Sequence, residues 1–270
     1  MTSAAVERLL AIVARLRSED GCSWDRAQTL ASLAPRLVEE AYEALEFAEA
    51  GESGELCVEL GDLLFVMMLC ARIADEDGRF GFADVAAAAA DKLERRHPRI
   101  FGRAHDPGEE APSDWETQKA EERRLRAAAN GRREPGALEG VARGLPALTR
   151  SIRLQDRAAR VGFDWPELGP VLDKVEEEIA ELQAELPSGA HARLEHELGD
   201  ILLAVTNVAR HIDVDPERAL RRANERFESR FACMEALAEA TGRRLADFPL
   251  EEQEALWQRA KRELEGGDTG

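Results

Sequence analysis

The sequence has few aromatic residues, no excess of basic residues and no long apolar run. Aromatic side chains make up 5% of the 270 residues, and 54 acidic against 36 basic residues give a formal net charge of -18. Such an acidic chain lacks the basic surface that general nucleic-acid binding requires, and a phosphate substrate would have to arrive with a cation. The longest strongly apolar run, Leu63 to Ala71, is too short to cross a bilayer.

Cysteine is also scarce, and its spacing excludes the usual structural zinc sites. The four cysteines form no Cys-x-x-Cys pair and no zinc-type cluster with histidine, so we expect reduced thiols. The N-terminal segment carries Glu7 and Arg8 where a signal peptide would be apolar. These features predict a cytoplasmic protein that binds neither nucleic acid nor membrane.

Hydrophobic periodicity predicts an all-α fold. Apolar residues recur with the helical period along most of the chain, and no segment alternates with period two for long enough to suggest a sheet. Glycine and proline clusters predict a first helical domain at 1–130, a linker at 131–147 and a second helical domain at 148–270. Residues 102–114 are expected to form an exposed loop, and Asp25 and Asp84 are expected to cap helices.

An acidic helical hairpin in the second half carries most of the chemical information. Glu178 and Glu181 lie one turn apart on one predicted helix, and Glu197 and Asp200 lie one turn apart on the next. A short connection near Pro187 would bring the two pairs together, where four carboxylates repel unless a cation sits between them. Oxygen ligands suit Mg²⁺, Mn²⁺ or Ca²⁺, whereas a di-iron site would require histidines at this spacing.

The acidic hairpin occurs twice in the sequence. A shift of 138 residues brings an earlier set onto the later one, since 178 − 40 and 200 − 62 both equal 138. The earlier set consists of Glu40, Glu43, Glu59 and Asp62, and a later basic pair in the same half is Lys92 and Arg96. Glutamates that merely solvate a helix surface would not be expected to repeat the same spacing in both halves. Internal repeats indicate duplicated structural units.

Three basic residues and one tryptophan are candidates for substrate binding. Arg226 and Arg230 lie four apart, where two guanidinium groups can grip phosphate oxygens or form surface salt bridges. Lys174 lies four residues before Glu178, so it either contacts phosphate or pairs within its helix. Trp257 either stacks on a base or packs in the core or at a dimer interface.

In combination, these motifs resemble the MazG family of nucleoside triphosphate pyrophosphohydrolases in its two-domain form. The resemblance is carried by EExxE followed by ExxD, and by the phrases GCSWDRAQT, ELGDLLF, DKLERRHP, VGFDW, ELGDILLAVTNVARH and NERFESRF. It implies hydrolysis of a nucleoside triphosphate between the α- and β-phosphates, giving a monophosphate and pyrophosphate. It also implies Mg²⁺ held by the acids matching Glu178, Glu181, Glu197 and Asp200. The implied fold is all-α, with units that pair into four-helix bundles across a homodimer.

The resemblance suggests that the second copy carries most of the activity, but other interpretations stay open. The family commonly has lysine where Arg226 stands, so contact geometry there can differ. One alternative is a house-cleaning hydrolase for a narrow set of modified or deoxy nucleotides, and another is a non-enzymatic acidic helical adaptor. The first copy keeps its acids together with Lys92 and Arg96, which makes it a possible second or regulatory site.

Overall fold

The computed structural model describes residues 2–101 and 115–266, and the regular structure within these residues is helical throughout. The predicted all-α fold is therefore confirmed, and the predicted loop at 102–114 lies outside the described residues. The first half contains α1 (Thr2–Leu16), α2 (Ser23–Ala27), α3 (Leu30–Ala50), α4 (Ser53–Glu76), α5 (Phe82–Arg96), α6 (Pro98–Phe101) and α7 (Trp115–Ala129). The second half contains α8 (Ala147–Arg160), α9 (Leu168–Glu185), α10 (His191–His211), α11 (Pro216–Glu239) and α12 (Leu250–Gly266).

The chain divides into two compact units, Met1–Arg123 and Arg124–Gly270. The division falls inside α7, whereas the sequence places the end of the first domain at residue 130 and a linker at 131–147. Each unit contains one acidic hairpin, α3–α4 in the first and α9–α10 in the second, and the two helices of each hairpin pack against one another. The predicted repeat of two helical units is confirmed.

An apolar core holds the first unit together and fixes its acidic hairpin. Val13 of α1 and Leu33 of α3 pack against Met68, Leu69 and Ile73 of α4. All five side chains are buried, and Leu69 and Ile73 lie four residues apart on one face of α4. Burying a large apolar side chain contributes roughly 1.5–3 kcal/mol. This core therefore holds α1 and α3 against α4.

A tight turn at Gly21 follows the first helix. α1 stops at Leu16, and the Cys22 N–H donates to the Leu16 carbonyl at 2.8 Å. A Cβ on residue 21 would lie 2.1 Å from that carbonyl oxygen. Only glycine lets the two backbone segments approach this closely.

The helix caps near the two expected positions differ from the predictions. Asp25 does not cap α3, because the chain first makes the short helix α2, inside which Asp25 is buried. Thr29 caps α3 instead, in a reciprocal capping box with Ser32 at 2.9 and 3.1 Å. Asp84 does cap α5, but from its third residue, by accepting from the Gly81 N–H at 2.8 Å.

The second unit has a less apolar interior than the first. Its buried residues are Val171, Glu178, Ala204, Thr206, Asn207, Ala209, Met234, Ala238 and Ala260. Most of these side chains are small or polar.

Two smaller observations bear on the sequence expectations. All four cysteines are free thiols, as predicted. Among the helices of residues 2–101 and 115–266, none combines the length and apolarity that a bilayer span requires.

Candidate active site

The second acidic hairpin brings three of its four predicted carboxylates together. Oxygen atoms of Glu178 on α9 and of Glu197 and Asp200 on α10 all lie within 4.8 Å of one another. Glu178 is only 6% exposed, and Glu197 and Asp200 are half-buried. Three carboxylates this close repel one another, and a hard divalent cation would relieve the repulsion through the oxygen ligands that it prefers.

Glu181, the fourth predicted ligand, lies outside this trio but within its electrostatic reach. Desolvation raises the pKa of the Glu181 carboxyl, and the charges of Glu178 and Glu197 act in the same direction. Glu181 is exposed, so its carboxylate can turn toward the trio or toward solvent. Of the four acids grouped by the sequence, three thus lie within reach of one another and the fourth is their neighbour.

Lys174 places a positive charge next to the acidic trio. Its Nζ lies 2.7 Å from Glu178 Oε1 and 3.0 Å from Glu177 Oε1. Hydrogen bonds that Lys174 donates to Glu178 and then to Glu177 raise the pKa of Lys174, so it stays protonated at neutral pH. One ammonium does not balance three carboxylates, and the cluster keeps a net negative charge.

The first acidic hairpin also gathers three carboxylates, but a different three. Oxygen atoms of Glu40, Glu43 and Glu59 lie within 4.8 Å of one another, while Asp62, the counterpart of Asp200, is outside that group. Glu40 is buried and pairs with Arg36 at 2.9 Å. Desolvation raises the pKa of both Glu40 and Glu59, with neighbouring carboxylates adding to the effect. The two copies therefore have similar charge, but the acids that lie together are not at corresponding positions.

A cavity of about 440 Å³ opens beside the second acidic cluster. Its lining includes Phe163, Trp165, Lys174, Glu178, Asp200 and Asn207. The lining thus combines two members of the acidic trio and their lysine with aromatic side chains, a buried amide and the charged pair Asp164 and Arg210. A volume of this size is typical of small-molecule sites.

Polar side chains on α8 and α10 lie at or beside the cavity. Thr206 donates to the Leu203 carbonyl at 2.8 Å and lies 2.5 Å from the Ser151 hydroxyl. Gln155 donates from Nε2 to the same Leu203 carbonyl at 2.9 Å. Asn207, one residue after Thr206, is 7% exposed. Buried polar groups need partners, so these contacts keep the polar face of α10 ordered.

The first unit has hydrocarbon at the positions that correspond to this polar face. The offset of 138 residues places Met68 at Thr206 and Leu69 at Asn207. Met68 and Leu69 are buried members of the apolar core, whereas Thr206 is a buried polar residue and Asn207 lines the cavity. The two copies therefore share acids but differ in what lies next to them.

The predicted basic residues of the second unit lie together on α11 and α12. Arg230 pairs with Glu265 at 2.8 Å, and its guanidinium lies 5.6 Å from the Trp257 ring centre. Trp257 also contacts Phe227, with ring centres 5.4 Å apart, and Arg226 is exposed. Within residues 115–266, the cavity lining contains Lys174 but not Arg226, Arg230 or Trp257. Their role in substrate binding stays a prediction.

In the first unit, the corresponding Arg96 is enclosed by an ion pair. Its Nη2 and Nε donate to the two Glu122 oxygens at 2.6 and 3.1 Å, and Arg95 donates to the same carboxylate at 2.8 Å. Hydrogen bonds from Arg96 and then Arg95 lower the pKa of Glu122 to about 2. A phosphate could reach Arg96 only by displacing Glu122, whereas Lys92 on the same helix is exposed.

Sequence reasoning missed the cavity and its polar lining. The segment Ile201–Ile212 reads as an apolar helix, yet Thr206, Asn207 and Arg210 interrupt it, and the last two line the cavity. A signal was present, because the aligned segment of the first copy has Met68 and Leu69 where this one has Thr206 and Asn207. Comparing the copies for differences as well as likenesses would have found it.

The comparisons with known proteins agree with the two-hairpin arrangement. A family model for the MazG nucleotide pyrophosphohydrolase domain matches residues 28–101 and 170–232, which contain the two acidic hairpins. A nucleoside triphosphate pyrophosphohydrolase of Escherichia coli (strain K12) is 45% identical over 262 residues, covering 96% of this chain and 97% of the relative.

Two further relatives span different shares of their own length. A nucleoside triphosphate pyrophosphohydrolase/pyrophosphatase MazG of Thermotoga maritima is 40% identical over 263 residues, covering 97% of this chain and 96% of the relative. A nucleoside triphosphate pyrophosphohydrolase of Mycolicibacterium smegmatis is 31% identical over 250 residues, covering 91% of this chain and 64% of the relative.

Proposed function

This chain belongs to the MazG family of nucleotide pyrophosphohydrolases, and we propose that its second unit hydrolyses nucleoside triphosphates between the α- and β-phosphates. The products are a nucleoside monophosphate and pyrophosphate. The observation that carries this proposal is the position of Glu178 and Asp200, which belong to the acidic trio and also line the cavity. A nucleoside in the cavity would place its phosphates beside the acids. The names of the full-length relatives favour this enzyme over the acidic adaptor.

The site requires a divalent cation, which we propose to be Mg²⁺, with Mn²⁺ able to replace it. The donor set of Glu178, Glu197 and Asp200 contains only carboxylates, which are the ligands that hard cations prefer. When bound, such a cation neutralises triphosphate charge and stabilises the charge that develops in the transition state. Glu181, at the edge of the trio, completes the ligand set predicted from the sequence. Lys174 meanwhile holds the Glu178 carboxylate in place.

We assign the main activity to the second copy because the first copy lacks two of its features. Met68 and Leu69 replace the polar residues beside the cavity, and Glu122 encloses Arg96. Although the first copy keeps its acids, these two differences make a structural or regulatory role fit it better than hydrolysis. Hydrolysis that persists when only the second trio is intact would support this assignment.

A homodimer would explain two features that a single second unit leaves open. Leu198, Leu202 and Val205 are exposed at i, i+4 and i+7, which makes an apolar stripe on α10. Arg226 and Arg230, predicted to bind phosphate, do not line the cavity within the described part of this unit. We propose that a second copy covers the stripe and brings its arginines to the site.

The dimer can be tested by mass and by complementation. A solution mass of one 29.8 kDa chain would contradict it. Inactive Asp200→Ala and Arg226→Ala proteins should regain activity after subunit exchange, because half of the sites in a mixed dimer would contain neither substitution. A mixture that stays inactive despite proven exchange would show that both residues act within one chain.

The activity itself is tested by pyrophosphate release from a mixture of nucleoside triphosphates with Mg²⁺, with product analysis to locate the cleaved bond. Glu178→Ala and Asp200→Ala should abolish release while the circular dichroism spectrum stays helical. Glu195→Gln is the matched control, since Glu195 is an exposed acid of α10 outside the trio. Near-normal turnover in both site variants, or release of inorganic phosphate alone, would overturn the proposal.

A further inference from the structure

Part of the cavity lining suits a flat group such as a nucleobase. Phe163, Trp165, Leu203 and Ala204 give it apolar and aromatic surface, and aromatic side chains are good platforms for stacked bases. Asn207 follows Asp200 by seven residues on α10, which separates them by about 10 Å along one helix face. That spacing is comparable to the length of a nucleoside, so phosphates at Asp200 leave the base near Asn207.

The orientation of the Asn207 amide is fixed by its neighbours. Its Oδ1 accepts from Arg210 Nε at 3.1 Å and from Arg210 Nη2 at 2.9 Å. Arg210 Nη2 is itself held by Asp164, and this hydrogen bond lowers the pKa of the Asp164 carboxyl, so the carboxylate stays ionised at neutral pH. Rotating the amide by half a turn would bring its NH₂ group against the guanidinium donors. The oxygen therefore stays on Arg210.

With Oδ1 occupied, Asn207 presents only donors to the cavity. The side chain is 7% exposed and lines the cavity, and Nδ2 contacts no acceptor among the described residues and keeps access to the cavity. A ligand that offers an acceptor at this point gains a hydrogen bond, and a ligand that offers an amino group meets two facing donors.

We propose that the cavity is the base pocket of the second unit, and that Asn207 selects bases with a carbonyl oxygen on the edge opposite the sugar. That edge carries O4 in uracil and O6 in hypoxanthine or guanine, but an amino group in cytosine and adenine. Asp164 and Arg210 are positioning residues, which act by orienting the amide. The inference rests on the proposed hydrolysis of nucleoside triphosphates and adds a chemical preference to it.

The test compares matched nucleotides that differ at this one edge. We expect kcat/KM for UTP over CTP, and for ITP over ATP, to favour the oxo base by at least about tenfold, since one buried hydrogen bond is gained and one donor clash is avoided. Dissociation constants of UMP against CMP, measured by calorimetry, should show the same preference without catalysis. Equal ratios in the wild-type protein would overturn the inference.

Two variants separate selection from a structural role. Asn207→Asp keeps one oxygen on Arg210 and turns the other, an acceptor, toward the cavity, so the UTP/CTP and UMP/CMP preferences should fall or invert. Asn207→Leu copies the first unit, where Leu69 occupies this position, and should lose the preference. A change in stability with the ratio unchanged in the aspartate variant would show that Asn207 only supports Arg210, and would refute selection.

The binding measurement distinguishes the two proposals. Base-selective binding of UMP without pyrophosphate release from any triphosphate would support the pocket and refute the proposed reaction. Pyrophosphate release with no base preference would support the reaction and refute the pocket assignment.

Discussion

Replacing Asp200 by asparagine should stabilise the metal-free protein and remove its response to metal. Asp200 lies within 4.8 Å of Glu178 and Glu197, and its ion-pair contact among the described residues is with the exposed His196 at 3.5 Å, which carries charge only when protonated. Two unit charges at 4.8 Å repel by about 0.9 kcal/mol in water and by about 3.5 kcal/mol at an effective dielectric constant of 20. Because Asp200 is about one-third exposed, the smaller value applies, and losing two repulsions gives about 2 kcal/mol.

The assay is thermal unfolding with and without Mg²⁺. For a unit of this size, about 2 kcal/mol corresponds to a rise in Tm of roughly 4–8 °C in the presence of a chelator. In wild-type protein, Mg²⁺ at a hundred times its Kd should add about 2.7 kcal/mol of stability. Asp200→Asn should show little of that gain, because a neutral amide is a poorer ligand than a carboxylate.

The opposite signs of the two effects make this prediction specific. A solvated surface acid would change neither measurement, and a residue that only packs would lower the metal-free Tm. Glu195→Gln makes the same charge change on the same helix outside the trio, and it should leave the magnesium response intact. A magnesium response in Asp200→Asn equal to that of wild type would refute the assignment of Asp200 as a ligand.

Two further predictions concern the differences between the copies. Glu181→Gln should lower pyrophosphate release by at least about 100-fold, while Glu43→Gln, the same change in the first copy, should leave it within about twofold. Equal losses would mean that both copies catalyse. Glu122→Gln should lower the free energy of unfolding of the first unit at pH 7 by about 1–3 kcal/mol, since its pKa falls from 4.5 to about 2 on folding. The stability that this ion pair contributes is complete above the unfolded pKa and is lost as pH falls toward 2. The free energies of unfolding of variant and wild type, measured in urea, should therefore converge near pH 2. A difference between them that stays constant with pH would contradict the ion pair.

The hairpins were predictable from the sequence because two independent regularities coincide there. Helical periodicity places Glu178 with Glu181, and Glu197 with Asp200, while the offset of 138 residues repeats the pattern. Helix starts were predictable where a local cap exists, as at Asp215, whose carboxylate accepts from the Glu217 and Arg218 N–H groups. Each of these signals depends on residues within one or two turns of each other.

What sequence reasoning missed depends on contacts between distant residues. Arg96 matches Arg230 by pattern, yet its partner Glu122 lies 26 residues away on another helix. The direction of the Asn207 amide depends on Arg210 and on Asp164, which is 46 residues from Arg210. A sequence pattern predicts which side chains share a helix face, but it does not predict which side chains from other helices bind to them.

The substitution of Thr206 and Asn207 for Met68 and Leu69 has a consequence for how this protein tolerates mutation. The first unit uses these two positions for apolar packing, whereas the second has a buried hydroxyl at one of them and an amide in the lining of a cavity at the other. Binding sites commonly reduce stability in this way. We therefore expect the second unit to be less stable than the first and to be stabilised by bound nucleotide. Destabilising substitutions in the second unit should then reduce activity most when the nucleotide concentration is low. Hydrogen exchange with and without nucleotide would show this as slower exchange in α8 and α10 on binding.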